Sequence, residues 1–313
     1  MAGYDITSPF QEGVLVGRYQ LLGSIGRGGM GEVWKALDTS LARVVALKVF
    51  PVGLAATPQR RARFEREARA AAAVSHPNLV GIFDVGEFEG LPYLVQEFVD
   101  GETIEAMLDR APVPVRRAVA WAIQAAEGLA HAHDAGILHR DIKPGNLMVG
   151  RDGRVRVLDF GLAKLQDPPE DRTEKDGVRE ENLTTEGLVL GTAHYMSPEQ
   201  AMGRKLDGRS DVFSLGICLF EMIAGERPFQ GASAIDVMHA IISKPAKTLP
   251  ATVRSVPPAL HGVLDKALQK DPANRYAGMR ELVRALAQVL QEAPDSDPLG
   301  DALTPSLGAP VVP

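Results

Sequence analysis

The stretch RYQLLGSIGRGGMGEVWKAL, residues 18–37, decides how the rest of the chain is read. At its centre Gly26, Gly28 and Gly31 fall in a G-x-G-x-x-G spacing, and such a loop cradles phosphates in two different ways. Where the glycines follow a strand and open a helix, the helix N-terminus holds a pyrophosphate. Where they turn one strand back into the next, they lie over the phosphates of a nucleotide. The flanks discriminate. Arg18–Gly23 alternates apolar and polar residues as a half-buried strand does, and Glu32–Leu37 does so again just after the glycines. Val44–Phe50 (VVALKVF) is a third strand candidate, and no amphipathic helix follows the loop. The glycines therefore belong to a hairpin, and the dinucleotide reading loses the context it needs.

Outward from the hairpin the pattern changes. Thr57–Ala73, rich in Ala, Arg and Glu with Pro58 near its start, predicts a helix with a charged face. Val80–Val85 and Pro92–Phe98 predict short strands. From Glu102 the spacing turns mostly helical, over Arg116–Ala135, Asp211–Ala224, Ala234–Ser243, Pro258–Gln269 and Gly278–Gln291. A β-rich first part and an α-rich remainder predict two lobes. Gln166–Asn182 is dense in charge without apolar periodicity, and Pro294–Pro313 is rich in Pro, Gly and Ala; both read as poorly ordered.

Bulk properties narrow the class. The 313 residues are 45% hydrophobic and 24% charged, an ordinary globular composition with material for a large core. A formal net charge of −6 argues against a nucleic-acid partner, whose binders are usually basic. Cys218 is the sole cysteine, so no intrachain disulfide forms, which fits a reducing compartment. No signal peptide and no membrane-spanning run is visible, because VFSLGICLFEMIAG is short and interrupted by Glu221. The expected location is cytoplasmic.

Four further motifs follow the hairpin. VALK at Val45–Lys48, HRDIKPGN at His139–Asn146, DFG at Asp159–Gly161 and SPE at Ser197–Glu199 occur in the order of the protein-kinase signature set. With GRGGMGEV, RFEREARAAAAVSHPNLV and GTAHYMSPEQ, the chain most resembles the bacterial Ser/Thr protein kinases of eukaryotic (Hanks) type, over about Arg18 to Gln291. The resemblance implies an α+β, bilobal protein-kinase-like fold with an ATP cleft between a small β-rich N-lobe and a larger helical C-lobe. The divisions it implies are an N-terminal extension over 1–17, a kinase domain over 18–291 with lobes meeting near 98–99, and a tail or linker over 292–313.

Phosphoryl transfer asks a protein mainly to position groups and neutralise charge. By resemblance Lys48 meets the α- and β-phosphates, with Glu67 as the carboxylate that holds it and Glu65 as its near rival on the same helix. Asp141 orients the substrate hydroxyl and accepts its proton, while Asn146 and Asp159 hold Mg²⁺, or Mn²⁺ in its place. Hard carboxylate and amide oxygens suit such a cation. Lys143 marks a Ser/Thr rather than a Tyr kinase and meets the γ-phosphate, and Thr192 links the catalytic loop to the peptide-binding segment. The ATP pocket carried over comprises Ile25, Gly26, Arg27, Gly28, Gly29, Met30 and Gly31 of the loop, Val33 and Ala46 as roof, Met148 as floor, Gln96 as gatekeeper, and Glu97, Phe98 and Val99 as hinge. Many relatives carry Met or another apolar residue where Gln96 stands.

Structural parts fall to Asp211, as anchor of the catalytic loop, and to a buried Glu199–Arg275 pair, which suits the bidentate fork of Arg. His76, His131 and His133 show no metal-ligand spacing and read as structural or surface residues. Arg140 before the catalytic Asp implies an activation segment ordered by a phosphate, with Thr184 or Thr185 as the modified residue and Glu186 where some relatives carry a second threonine. Autophosphorylation in trans between paired copies, and protein substrates with Ser or Thr hydroxyls, complete the implied picture. The competing reading is a pseudokinase-like scaffold, which would predict loss of Lys48, Asp141 or Asp159; all three are present.

Overall fold

A computed structural model describes residues 9–28, 31–51, 57–159, 193–253 and 256–292. The first part is a six-stranded antiparallel sheet in the order β1-β2-β3-β4-β6-β5. Its strands are β1 (Leu15–Val16), β2 (Tyr19–Gly28), β3 (Gly31–Asp38), β4 (Arg43–Val49), β5 (Ile82–Phe88) and β6 (Leu91–Glu97). The glycine-rich stretch is the β2–β3 hairpin, with Gly26 opposite Val33 and Gly28 opposite Gly31.

Strand β4 shows why VVALKVF reads as one apolar run. Successive side chains of a strand point to opposite faces. Val45, Leu47 and Val49 pack with Leu21, Trp34, Ala36, Tyr93 and Val95 in the core on one face. The other face carries Ala46 and Lys48, both buried. Helix α1 (Pro58–Ala72) sets Phe64 and Ala68 against Phe50 and Leu94 in a second small core, and the Phe50 and Phe64 rings meet edge-on at 5.2 Å. The helix starts where Thr57 accepts a hydrogen bond from the Arg60 N–H at 3.2 Å, with Pro58 in the first turn.

The second part is helical. It comprises α2 (Ile104–Leu108), α3 (Val115–Asp134), α4 (Pro198–Ala201), α5 (Gly208–Ala224), α6 (Ala234–Ser243), α7 (Pro258–Ala267) and α8 (Met279–Glu292). Helix α5 lies at its centre, buried on every face from Ser210 to Ile223. That explains why its apolar pattern has no clean stripe. Asp207 caps its start and Gly225, at φ 70°, ends it. The expected start at Asp211 moves back to Gly208 because the cap lies at Asp207.

A small antiparallel sheet of β7 (Gly101–Thr103), β8 (Leu147–Gly150) and β9 (Val155–Val157) carries the chain between the lobes. Leu79 pairs with Val157 in an isolated parallel bridge that ties this sheet to the segment before β5. The stretch from Glu102, read as helical, thus opens inside strand β7. Among the described residues no helix is long and apolar enough to cross a membrane.

Candidate active site

The catalytic loop runs from the end of α3 to β8 and is fastened from beneath by Asp211 of α5. Its Oδ2 accepts the His139 N–H at 2.9 Å and lies 2.7 Å from His133 Nε2, and its Oδ1 accepts the Arg140 N–H at 2.9 Å. Burial alone would raise the pKa of this fully enclosed carboxyl. The His133 hydrogen bond, the nearby imidazoles and the backbone donor outweigh it, and the group is held below the ordinary Asp value. His133, read from sequence only as structural or surface, is thus part of the loop's foundation.

Two residues, one in the loop and one just beyond β9, have strained backbone. Arg140 has φ 67° and Asp159 has φ 58°, left-handed values that cost a non-glycine residue roughly 1–3 kcal/mol each. His139 braces both ends: its Nδ1 accepts the Asp141 N–H at 3.2 Å and its Nε2 lies 2.7 Å from the Leu158 carbonyl, next to Asp159. Asp141, buried, has its Oδ2 3.0 Å from Asn146 Nδ2 and 2.9 Å from Lys143 Nζ. Asn146 Nδ2 also donates to the Asp141 carbonyl at 2.7 Å, so its Oδ1 is the atom left to face a cation.

Lys48 Nζ bonds Asp159 Oδ2 at 2.7 Å, with the lysine 6% and the aspartate 20% exposed. The expected ion pair of Lys48 with Glu67 is not formed in this structure. Glu67 instead accepts from Arg63 Nε at 3.0 Å, one turn back on α1. An intrahelical i,i+4 partner is always within reach of Glu67. Lys48, across the cleft, finds its carboxylate at the end of the catalytic segment.

The nucleotide-pocket candidates line the same face of the sheet. Cross-strand partners place Val33 beside Lys48, and Ala46 beside Gln96. Gln96 is buried, Met148 is half-buried on β8, and Val99 is buried just beyond β6. The Glu97 N–H is taken by the Gly81 carbonyl at 2.8 Å, so the hinge offers a ligand the backbone beyond it, at Phe98 and Val99. Two glycines of the hairpin differ in kind. At Gly31, φ is 119° and a Cβ would lie 1.9 Å from the Val49 carbonyl oxygen, so the fold itself requires glycine. At Gly26 a Cβ would meet nothing within 4 Å among the described residues. Ile25 is exposed, and Arg27 pairs with Glu32 across the turn at 3.6 Å. Gly29, Met30, Thr184, Thr185 and Thr192 lie outside the described residues.

Below the cleft, Arg275 holds Glu199 with two parallel bonds of 2.7 and 2.8 Å and gives its other donors to the carbonyls of Gln269, Arg209 and Lys270. Burial opposes ionisation of Glu199, but Arg275 and the Ser210 hydroxyl hold its pKa below the ordinary value. A second network went unnoticed in the sequence. Tyr195 donates to Glu221 at 2.6 Å and Arg227 Nε reaches both, at 3.2 and 3.0 Å, tying the segment before α4 to α5. Glu221 marked only a break in an apolar run, with no signal of its partners. Arg140 Nε is buried without a hydrogen-bond partner among the described residues. A separate groove of about 710 Å³ between α3 and α8, lined by His76, Glu127, His131, Arg280 and Arg284, shares no residue with this site.

The family model described as Protein kinase domain matches residues 19–288. The chain belongs to the protein kinase family. Among curated relatives, this kinase domain is 40% identical over 286 residues to Serine/threonine-protein kinase PknB of Mycolicibacterium smegmatis, covering 89% of this chain and 44% of that protein. It is 39% identical over 276 residues to a probable serine/threonine-protein kinase PknB of Lactococcus lactis, covering 88% of this chain and 42% of the relative. The chain therefore spans less than half the length of these relatives. Among solved structures, the Mycobacterium tuberculosis PknI kinase domain superposes with a TM-score of 0.67 at 28% identity, covering 90% of this chain and 99% of that one.

Proposed function

We propose that the chain is an ATP-dependent protein serine/threonine kinase that uses Mg²⁺, with Mn²⁺ as an alternative. The observation that carries the reading is the cluster of buried Asp141 and Asn146 with half-buried Lys143, fastened by Asp211 and joined by the Lys48–Asp159 pair. The residues fit ATP and a divalent cation. Among the described residues nothing crowds Gly26, which would admit close approach of a phosphate, and the Asn146 Oδ1 and Asp159 carboxylate would supply hard oxygens for the cation. Bound ATP supplies the γ-phosphoryl group and the metal neutralises its oxygens.

The chain's own residues do the rest. Asp141 accepts a hydrogen bond from the substrate hydroxyl and takes its proton. Lys143 and Asn146 fix that carboxylate in place. Lys48 presents its ammonium to the phosphates, and when nucleotide enters it exchanges its Asp159 partner for Glu67, which Arg63 holds meanwhile. Backbone beyond Glu97 receives the adenine edge. Thr184 or Thr185, modified in trans by a second copy, would give a phosphate to the Arg140 guanidinium, whose Nε has no partner among the described residues. The expected location is the cytoplasm.

Incubation with γ-labelled ATP, Mg²⁺ and a generic protein substrate, followed by phosphoamino-acid analysis, tests the reading. Label on Ser and Thr alone is the expected result. Label confined to Tyr, or none in the presence of bound ATP, would overturn it. Phosphopeptide mapping of active enzyme with no modification between Asn182 and Glu186 would remove the switch.

A further inference from the structure

We infer that Gln200 is a positioning residue for the catalytic aspartate, an inference that rests on the kinase reading above. Gln200 is the third residue of α4 and half-buried. Its side chain works in two directions. Its Oε1 accepts the Ser197 N–H at 2.9 Å while its own N–H donates to Ser197 Oγ at 3.3 Å, a reciprocal capping box. Its Nε2 points the other way and donates to the Arg140 carbonyl at 2.7 Å.

That carbonyl belongs to the peptide unit that carries Asp141. The N–H of the same unit donates to His139 Nδ1 at 3.2 Å, and the N–H of the preceding unit donates to Asp211 at 2.9 Å. Arg140 between them sits at φ 67°, where a free chain would not stay. His139 and Asp211 hold the N–H side of this kink, and Gln200 holds the carbonyl side. The peptide plane before Asp141, and with it the direction of the carboxylate, is thus set partly from α4. Helix α4 reaches the peptide unit of Asp141 through the Gln200 amide N–H. A capping box needs only the acceptor, which Glu supplies as well as Gln. The donor is an addition that the cap does not explain.

Gln200→Glu separates the two duties, because it keeps the oxygen that receives the Ser197 N–H and removes the donor to the Arg140 carbonyl. Ser197→Ala does the reverse, weakening the cap and leaving the donor. The two variants and the wild type are compared for melting temperature, ATP binding, and kcat and KM with a Ser/Thr peptide. The inference expects Gln200→Glu to lower kcat by about tenfold or more, the effect of one lost bond in the transition state. Its KM for ATP should stay within about twofold, and its melting temperature should fall no further than that of Ser197→Ala, so that the loss of kcat exceeds what stability explains. Ser197→Ala should melt lower with kcat within about twofold of the wild type. Equal kcat for Gln200→Glu and wild type overturns the inference, as does a kcat loss in both variants that simply follows the loss of melting temperature. No phosphoryl transfer by the wild type itself would overturn the kinase reading and this inference with it.

Discussion

Replacing Asp211 by Asn removes one charge and changes almost no volume, so its effect isolates the anchoring of the catalytic loop. The native carboxylate, 1% exposed, serves the His139 N–H, the Arg140 N–H and His133 Nε2. An amide can turn its oxygen toward only one side. If the oxygen keeps His139 and His133, the amide nitrogen faces the Arg140 N–H, donor against donor, and a buried backbone N–H goes unsatisfied at about 1–3 kcal/mol. The two bonds that survive drop from charge-assisted to neutral strength, a loss of roughly 1 kcal/mol each. The sum is about 3–5 kcal/mol against a typical domain stability of roughly 5–15 kcal/mol, so the variant should fold but unfold early. Urea unfolding should show a lower midpoint with an unchanged slope. Phosphoryl transfer should fall further than the folded fraction does, because Arg140 loses the bond that holds its left-handed kink. The pH dependence has a definite sign. Asp211 has a folded pKa below its reference of 3.8, so its contribution is complete above that pH and is lost as pH falls through the lower folded value. The gap between wild type and Asp211→Asn should therefore narrow in acid. A midpoint shift worth under about 1 kcal/mol with full activity would refute the reasoning.

Other perturbations follow from the same contacts. Gly31→Ala should cost more than the roughly 1–3 kcal/mol of its backbone strain, because of the added clash with Val49, whereas Gly26→Ala should fold normally and raise the KM for ATP. Melting curves and ATP titrations of the pair decide this, and equal behaviour would contradict the division. Arg63→Gln frees Glu67 for Lys48 and should tighten ATP binding, as read by calorimetry; an unchanged affinity would show that the two pairs do not compete. Lys270, whose Nζ donates to the Ile241 carbonyl at 2.6 Å, has its pKa pushed down from 10.5 to about 8 by burial and by Arg275. Between those values the unfolded chain holds a proton that the folded one has released, so stability gains as pH rises. The urea midpoint of wild type relative to Lys270→Met should therefore climb from pH 8 to pH 10.5, and a flat difference would contradict the assignment.

What the sequence made legible follows from the range of each interaction. The β2–β3 hairpin, β4, α1, α3 and α6 were readable because their signals lie within a few turns or one alternation. Strands β7, β8 and β9, and the short helices α2 and α4, carry too few residues for a period to show. In the site, residue types and their order brought Lys48, Asp141, Asn146 and Asp159 into view. Pairings were harder. Which carboxylate meets Lys48 depends on where α1 sits against the sheet, and Arg63 is a local competitor that a motif does not weigh. The contacts of His133 with Asp211, Gln200 with Arg140 and Tyr195 with Glu221 act across 26 to 78 residues of chain, between residues that form no pattern of their own.

The central claim is that Asp141 does the chemistry of a working kinase. The most direct measurement compares wild type with Asp141→Asn, each shown to be folded and to bind ATP, for transfer of labelled phosphate at saturating ATP and Mg²⁺. The account predicts transfer by the wild type and a loss of about 10²–10⁴-fold in the variant, the usual worth of a positioned base. Equal transfer by both proteins, or none by a wild type that binds ATP, would contradict it.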